Sequence, residues 1–294
     1  MAPVRVLILG HQGQLARSLA AQAAGLGWSV DQIGRPDCDL AEPETAATAL
    51  EQRLASARPD VVINAAAYTA VDAAETDRDQ ALKVNAIAPG RLAEVCAAAG
   101  IPLIHVSTDY VFSGQQDRPW RETDSPNPVS VYGESKLAGE RAVAAAWHKH
   151  IILRTAWLFD GSGQNFLTTM LRLGASRDAL SIVADQRGCP TPVAALAAAI
   201  LELAGRGEAL EGCWGVYHYC GDTSMSWADF ADQIFAAAEM PAIMIEPIST
   251  EAFGAPAPRP RWSALDCSKI EQVFGIKAAD FQAGLNQAVA DAKA

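Results

Sequence analysis

An α/β fold is what this sequence predicts: a doubly wound parallel sheet with a smaller α+β lobe behind it. Three observations carry that expectation. Short β-branched runs alternate with Ala-rich helical stretches through the first half. A glycine-containing turn joins the first run to the first helical stretch. After about residue 157 the alternation gives way to a region where Pro, Gly and aromatic residues are frequent. Strands that alternate with helices imply parallel pairing and right-handed crossovers. The 294 residues are half hydrophobic, enough to bury a sizeable core and too apolar for a disordered chain.

The elements follow in order. Residues 4–9 are an apolar run ended by Gly10, a first strand. Residues 14–26 read as a helix, with Gly25 and Gly27 at its close. Residues 29–33 form a second strand and 43–57 a second helix. Residues 60–64, after Pro59, form a third strand. Residues 76–99 read as one helix bent at Pro89. Residues 101–107 give a fourth strand, 132–147 a long helix and 151–155 another strand. In the second half, 212–219 and 255–262 carry the Pro, Gly and aromatic residues, and 180–184 is a candidate to return to the large sheet. The boundary is placed at residue 157, with 158–294 as the main part of the smaller lobe.

A net charge of −11 argues against nucleic acid as the main partner, because phosphate binding needs a clustered basic footprint. Small anionic ligands remain open, since with a Debye length of about 8 Å one local arginine outweighs distant carboxylates. No uninterrupted apolar stretch of about 18 residues is present, so no membrane span is expected. The run 4–9 leads into Gly10 and His11 rather than a small-residue cleavage site, so no signal peptide is expected. Six cysteines are scattered without a C-x-x-C spacing, the pattern of reduced thiols in a cytoplasmic protein.

Gly10-His11-Gln12-Gly13-Gln14-Leu15-Ala16 has the spacing G-x-x-G-x-x-A between strand and helix. Glycines there let the backbone approach a pyrophosphate, which then rests on the free N–H groups of the helix N-terminus. A tight strand-to-helix turn without a ligand has the same spacing, but the place at the head of a β-α-β unit favours the phosphate-binding turn of a Rossmann-type, dinucleotide-binding domain, placed at residues 1–157. Arg35 lies just past the second strand, where such a fold holds the adenosine ribose. An acid at that strand end binds the 2′-hydroxyl, whereas an arginine accommodates a 2′-phosphate. Gln32-Ile33-Gly34-Arg35 contains no acid, which favours NADPH, with NADH as the alternative.

Tyr132 and Lys136 are four apart on the long helix and share one face. A phenol titrates near pH 10. An ammonium one turn away favours phenolate, so the pair suits an acid that protonates a developing alkoxide. The order is the informative part: glycine turn, fourth strand ending Ser107-Thr108-Asp109, then Tyr-x-x-x-Lys.

That order resembles the extended short-chain dehydrogenase/reductase family. The stretches 60–75, 107–114 and 131–140, with Arg154-Thr155-Ala156-Trp157, Asn165-Phe166 and Asp185-Gln186-x-Gly188-x-Pro190-Thr191, are similar to one branch of it. The resemblance covers residues 4 to about 266. It implies a catalytic set of Thr108, Tyr132 and Lys136. Thr108 would hydrogen-bond the substrate carbonyl, Tyr132 would donate the proton, and Lys136 would hold the nicotinamide ribose and lower the tyrosine pKa. Gly10, Gln12, Gly13, Gln14, Leu15, Asp39, Leu40, Ala65, Ala66, Ala67, Asn85 and Ser107 would join Arg35 around the cofactor. Thr69, Val71, Asp109, Tyr110, Trp157 and Asn165 would lie near a sugar nucleotide, with Arg259 and Arg261 at its diphosphate.

The implied reaction is reduction of the C4 ketone of dTDP-4-dehydro-L-rhamnose to dTDP-L-rhamnose. The alternatives are a related dTDP-6-deoxy-4-ketohexose, or a non-catalytic regulatory subunit on the same fold. The implied partner is a small-molecule sugar nucleotide, and the expected assembly is a monomer or a weak homodimer. Some members of the branch hold a divalent metal with carboxylates on the first helix and after the Gly-x-Pro-Thr segment. Here those places read Gln14-Leu15-Ala16-Arg17 and Pro192-Val193-Ala194-Ala195, without an acid, so no metal is expected.

Overall fold

The computed structural model describes residues 3–240 and 243–293. Strand β1 (Arg5–Leu9) leads into α1 (Gln14–Gly25), followed by β2 (Ser29–Ile33), α2 (Pro43–Ala57) and β3 (Val61–Asn64). After α3 (Val71–Ala74), the helix expected over 76–99 starts at Arg78 as α4 (Arg78–Leu82), widens into a π-helical turn (Lys83–Ile87) and continues as α5 (Ala88–Ala99). Then come β4 (Leu103–Thr108), α6 (Val131–Ala146), β5 (His150–Thr155), β6 (Leu158–Phe159), α7 (Phe166–Gly174) and β7 (Ala179–Val183). After β8 (Arg187–Gly188) and β9 (Thr191–Pro192) the chain forms α8 (Val193–Ala204), β10 (Gly215–His218), β11 (Met225–Ser226) and α9 (Trp227–Ala237). It closes with β12 (Met244–Ile248), α10 (Thr250–Phe253), α11 (Ser268–Phe274) and α12 (Phe281–Lys293).

Six parallel strands form the main sheet in the order β10-β5-β4-β3-β1-β2. Strand side chains alternate between faces, and the two cores follow that alternation. Val6 and Ile8 of β1 pack with α1, α8 and α11, whereas Leu7 and Leu9 pack with α2, α5 and Val143 of α6. A third cluster joins α7, α9, α12 and β7 around Phe159, Phe230 and Phe281.

Two expectations need correcting. The segment 180–184 does not return to the large sheet: β7 pairs with β12 in a separate two-stranded sheet, and β10 is the strand that returns. The burial patterns explain the difference. Strand β5 is buried at every position, as an inner strand between two helical layers must be, while β7 exposes Ser181 between Leu180 and Ile182. The helix over 76–99 does not bend at Pro89 but widens in the turn before it, its backbone staying helical from Arg78 to Ala99. Pro89 sits in the first turn of α5, where its missing N–H is no loss. Gly139 of α6 presses against the Asn85 carbonyl so closely that a Cβ there would overlap it. The widened turn carries Asn85 into that contact.

Candidate active site

The strand order reverses direction at β1, with β2 on one side and β3 on the other, and a cleft of about 510 Å³ opens at the C-terminal ends of these strands. This is where an open α/β sheet binds its ligand. Gly10, Gln12, Gly13, Arg35, Asp39, Leu40, Ala65, Ala66, Ala67 and Thr69 all line it. Gly10 takes φ +108°, a conformation that strains any side chain, and donates its N–H to Ile33 O at 2.7 Å. Gly13 precedes α1 without a side-chain cap, the first turn has no acid, and a Cβ at Gly13 would meet nothing within 4 Å. The helix therefore offers open N–H groups to an anion. Arg35 is exposed on the same wall. These residues fit a dinucleotide.

Four members of the expected cofactor set are placed elsewhere: Leu15, Gln14, Asn85 and, described below with Glu140, Ser107. Leu15 is buried in the core beneath α1, so its side chain does not face the cleft. Gln14 reaches away to donate to Gln164 O at 3.3 Å. Asn85 is buried and braces the cleft wall from behind, accepting the Tyr68 N–H at 2.8 Å and donating to Tyr68 O and Ser135 Oγ at 3.0 Å each.

The expected catalytic residues meet at the end of β4. Thr108 ends the strand in extended conformation, accepts the Tyr110 N–H at 3.2 Å and donates to Asp109 Oδ1 at 3.0 Å. Ser130 caps α6, its Oγ accepting the Gly133 N–H at 3.2 Å, which sets Tyr132 in the first turn. The Tyr110 and Tyr132 rings pack edge to face at 5.9 Å. Lys136 is buried, with Nζ donating to Val106 O at 2.8 Å.

Burial pushes the Tyr132 phenol up to about 12, the Thr108 hydroxyl pulling it back and the Asp109 carboxyl adding to the rise. The expected lowering by Lys136 does not occur in this arrangement. Desolvation of the phenol dominates, and the Lys136 ammonium is turned to the Val106 carbonyl. The phenol is thus fully protonated at neutral pH, the state a proton donor needs. Burial also brings Lys136 down to about 8, opposed by the carboxylate of Glu140. Asp109 is buried and raised to about 7 by desolvation, with the Ser263 and Thr108 hydroxyls drawing it back.

Ser107, expected at the cofactor, points behind the site and donates to Glu140 Oε1 at 2.5 Å. Glu140 also accepts a two-pronged contact from Arg154, at 2.9 and 2.7 Å. The Arg154 guanidinium lies 5.1 Å from the Phe112 ring centre.

On the far side, Asp72 accepts from Arg259 at 2.9 Å and from the Ala257 N–H at 3.1 Å, tying the 255–262 loop beside Val71. Arg259 also acts on the Tyr110 hydroxyl, whose pKa burial pushes up. Arg261 is exposed and lines a different hollow with Gly114, Arg187 and Trp262. Trp157 takes φ +46° and stacks on Trp227 at 3.5 Å, with the edge of its ring against Gly188. A tryptophan in that backbone region is an outlier held by its surroundings. Asn165 is committed to capping α7: it accepts the Thr168 N–H and donates to Asp160 and Ser162.

Similarity to known proteins agrees with this geometry. A family model described as the RmlD substrate binding domain matches residues 4–294. The dTDP-4-dehydrorhamnose reductase of Sinorhizobium fredii is 41% identical over 279 residues, 93% of this chain and 93% of its own. The chain belongs to the dTDP-4-dehydrorhamnose reductase family. A crystal structure of a dTDP-4-dehydrorhamnose reductase from Clostridium acetobutylicum matches with a TM-score of 0.91 at 36% identity, over 99% of this chain and 100% of that one. The Bacillus anthracis dTDP-4-dehydrorhamnose reductase, crystallised in complex with NADP, also gives 0.91, at 35% identity over 98% and 99%.

Within this member of the reductase family, several site residues carried no sequence signal of their own. His11 lines the cleft, and a Cβ on Gly34 would lie 3.1 Å from its ring. Cys38 lines it too, its thiol pushed up to about 11 by burial. Glu140 was within reach: it extends the Tyr132, Lys136 spacing by another four residues on the same helix face. Asp72 and Ser263 become visible only when the 255–262 loop is folded back.

Proposed function

We propose that this chain reduces the C4 ketone of dTDP-4-dehydro-L-rhamnose to dTDP-L-rhamnose. The observation that carries this reading is the Tyr132 phenol, half-buried in the first turn of α6 and held protonated beside Thr108 at the end of β4. The names and lengths of the relatives support it. NADPH supplies the hydride when bound, and Arg35 on the cleft wall favours the 2′-phosphate form over NADH. Residues 1–157 hold the dinucleotide, and residues 158–294 mainly hold the sugar nucleotide.

The chain's own residues orient the ketone and move one proton. Thr108 donates a hydrogen bond to the C4 oxygen. Tyr132 passes its phenolic proton to that oxygen as it becomes an alkoxide, an assistance worth roughly 10²–10⁴ in rate. Burial that keeps the phenol protonated also opposes the phenolate left behind. Lys136, one turn along the helix, keeps its ammonium on the Val106 carbonyl in the free protein and would hold the nicotinamide ribose once the dinucleotide is bound. Asp109 and Tyr110 face the sugar, and Arg259 faces the diphosphate, held in place by Asp72. The protein works as a monomer or weak homodimer and needs no metal.

The test is NADPH consumption with freshly generated dTDP-4-dehydro-L-rhamnose, followed by identification of the product sugar. Oxidation of NADPH with formation of dTDP-L-rhamnose is expected. A different C4 epimer, or no turnover by folded protein that binds NADPH, overturns the reading.

A further inference from the structure

Three cysteines outside the reaction meet where the large sheet joins the second lobe. Cys220 follows β10, Cys267 directly precedes α11, and Cys189 lies between β8 and β9. The Cys220 and Cys267 sulfurs are 3.6 Å apart, and Cys267 Sγ accepts the Cys220 N–H at 3.3 Å. Cys220 is sealed from solvent, whereas Cys267 is partly exposed. Contacts with the Cys189 and Cys267 thiols, together with burial, push the Cys220 thiol up. Of the remaining cysteines, Cys38 and Cys96 are buried in the helical layer of α2 and α5, and Cys213 is partly exposed with its carbonyl taken by the Tyr217 hydroxyl; Cys267 is the partly exposed thiol that has a shielded thiol beside it.

We infer that Cys267 and Cys220 form an oxidation site, in which Cys267 takes oxygen from a peroxide and Cys220 resolves the product. The Cys267 thiolate attacks hydrogen peroxide and the O–O bond breaks. The departing hydroxide takes a proton and leaves as water, and Cys267 becomes a sulfenic acid. The Cys220 sulfur then attacks the Cys267 sulfur, the S–S bond forms, and the sulfenic oxygen leaves as water with the Cys220 proton. Two thiols lose two electrons and one peroxide becomes two waters. A disulfide needs its sulfurs about 2.05 Å apart. Both residues lie outside strands and helices, so side-chain rotation in two loops closes the gap without moving the sheet. The bond pins the 255–266 segment, with Arg259 and Ser263, to the end of β10. It also spares Cys267 from the irreversible sulfinic and sulfonic steps.

The experiment is stepwise hydrogen peroxide treatment of the full chain, alkylation and peptide mass mapping, with Cys220→Ser and Cys189→Ser alongside. A Cys220–Cys267 bridge that dithiothreitol reverses is expected in the parent and in Cys189→Ser. In Cys220→Ser, Cys267 accumulates sulfinic and sulfonic acid. A bridge to Cys189, or a Cys267 that over-oxidises equally in the parent and in Cys220→Ser, overturns the proposal. So does a Cys267 that stays a free thiol at peroxide levels that oxidise glutathione. Should Cys220→Ser fail to fold, Cys267→Ser supplies the second readout. Cys220 must then stay reduced, and its oxidation without Cys267 sinks the assignment.

Discussion

Glu140 lies one helical turn beyond Lys136, buried with it, and its carboxylate is shared between Ser107 and Arg154. It is the one acidic group that opposes the fall in the Lys136 pKa. A lysine that acts as a cation loses activity as pH rises through its pKa. The alkaline limb of kcat/KM, which reports the free enzyme, is therefore expected near pH 8, the value to which burial brings Lys136. Glu140→Gln removes the anion and moves that limb to lower pH by about one unit. It also leaves Arg154 without its charge partner, at a stability cost on the order of 3 kcal/mol. A pH–rate profile of folded variant that overlays the parent's would show that Glu140 does not act on Lys136.

Tyr132→Phe keeps the ring and its packing against Tyr110 but deletes the proton. Turnover is expected to fall by at least about 10²-fold, with NADPH affinity retained in a fluorescence titration. Near-normal turnover would remove Tyr132 from the reaction.

Arg35→Ala takes a cation from the cleft wall. A charge-assisted contact to a 2′-phosphate is worth roughly 1.5–3 kcal/mol, so the KM for NADPH should rise about 10- to 100-fold while that for NADH changes little. Equal kinetics with both cofactors before and after the change would make Arg35 a bystander.

Gly139→Ala puts a methyl into the Asn85 carbonyl. Helix α6 must then move off the wide turn that braces Tyr68, and a loss of roughly 1–3 kcal/mol is expected. The midpoint of urea unfolding reads this directly, and an unchanged midpoint would mean the turn yields without cost.

Activity and sedimentation should both survive exhaustive chelation. Beside the N-terminus of α1 stands the Arg17 guanidinium, donating to Gln12 O at 2.8 Å and Ser162 Oγ at 3.1 Å. A cation there would be repelled. Loss of activity that added magnesium restores would contradict this.

Much of the first half was legible because each strand and helix declares itself locally. Pro43 opens α2, and Gly10 marks the end of β1. What stayed hidden depends on partners distant in sequence. The widened turn at Lys83–Ile87 answers Gly139, more than fifty residues later. Strand β10 has four residues, too few for a periodic signal, and gains its place from pairing with β5. The rise of the Tyr132 phenol is not legible from spacing, which reports that a lysine is one turn away but not that its ammonium faces the Val106 carbonyl. Asn165 matched a motif, and the same amide is fully used in capping α7.

The return of β10 bears on how the molecule unfolds. Tyr219 donates its N–H to Arg154 O, and His218 Nε2 stands 3.4 Å from the Arg154 guanidinium. One edge strand of the large sheet is thus supplied by residues that come after β6 to β9 of the other lobe. Neither part can melt while the other keeps its native pairing. A single calorimetric transition follows, and a fragment cut after Trp157 would present β5, buried at every position in the whole protein, as an uncovered edge prone to aggregation.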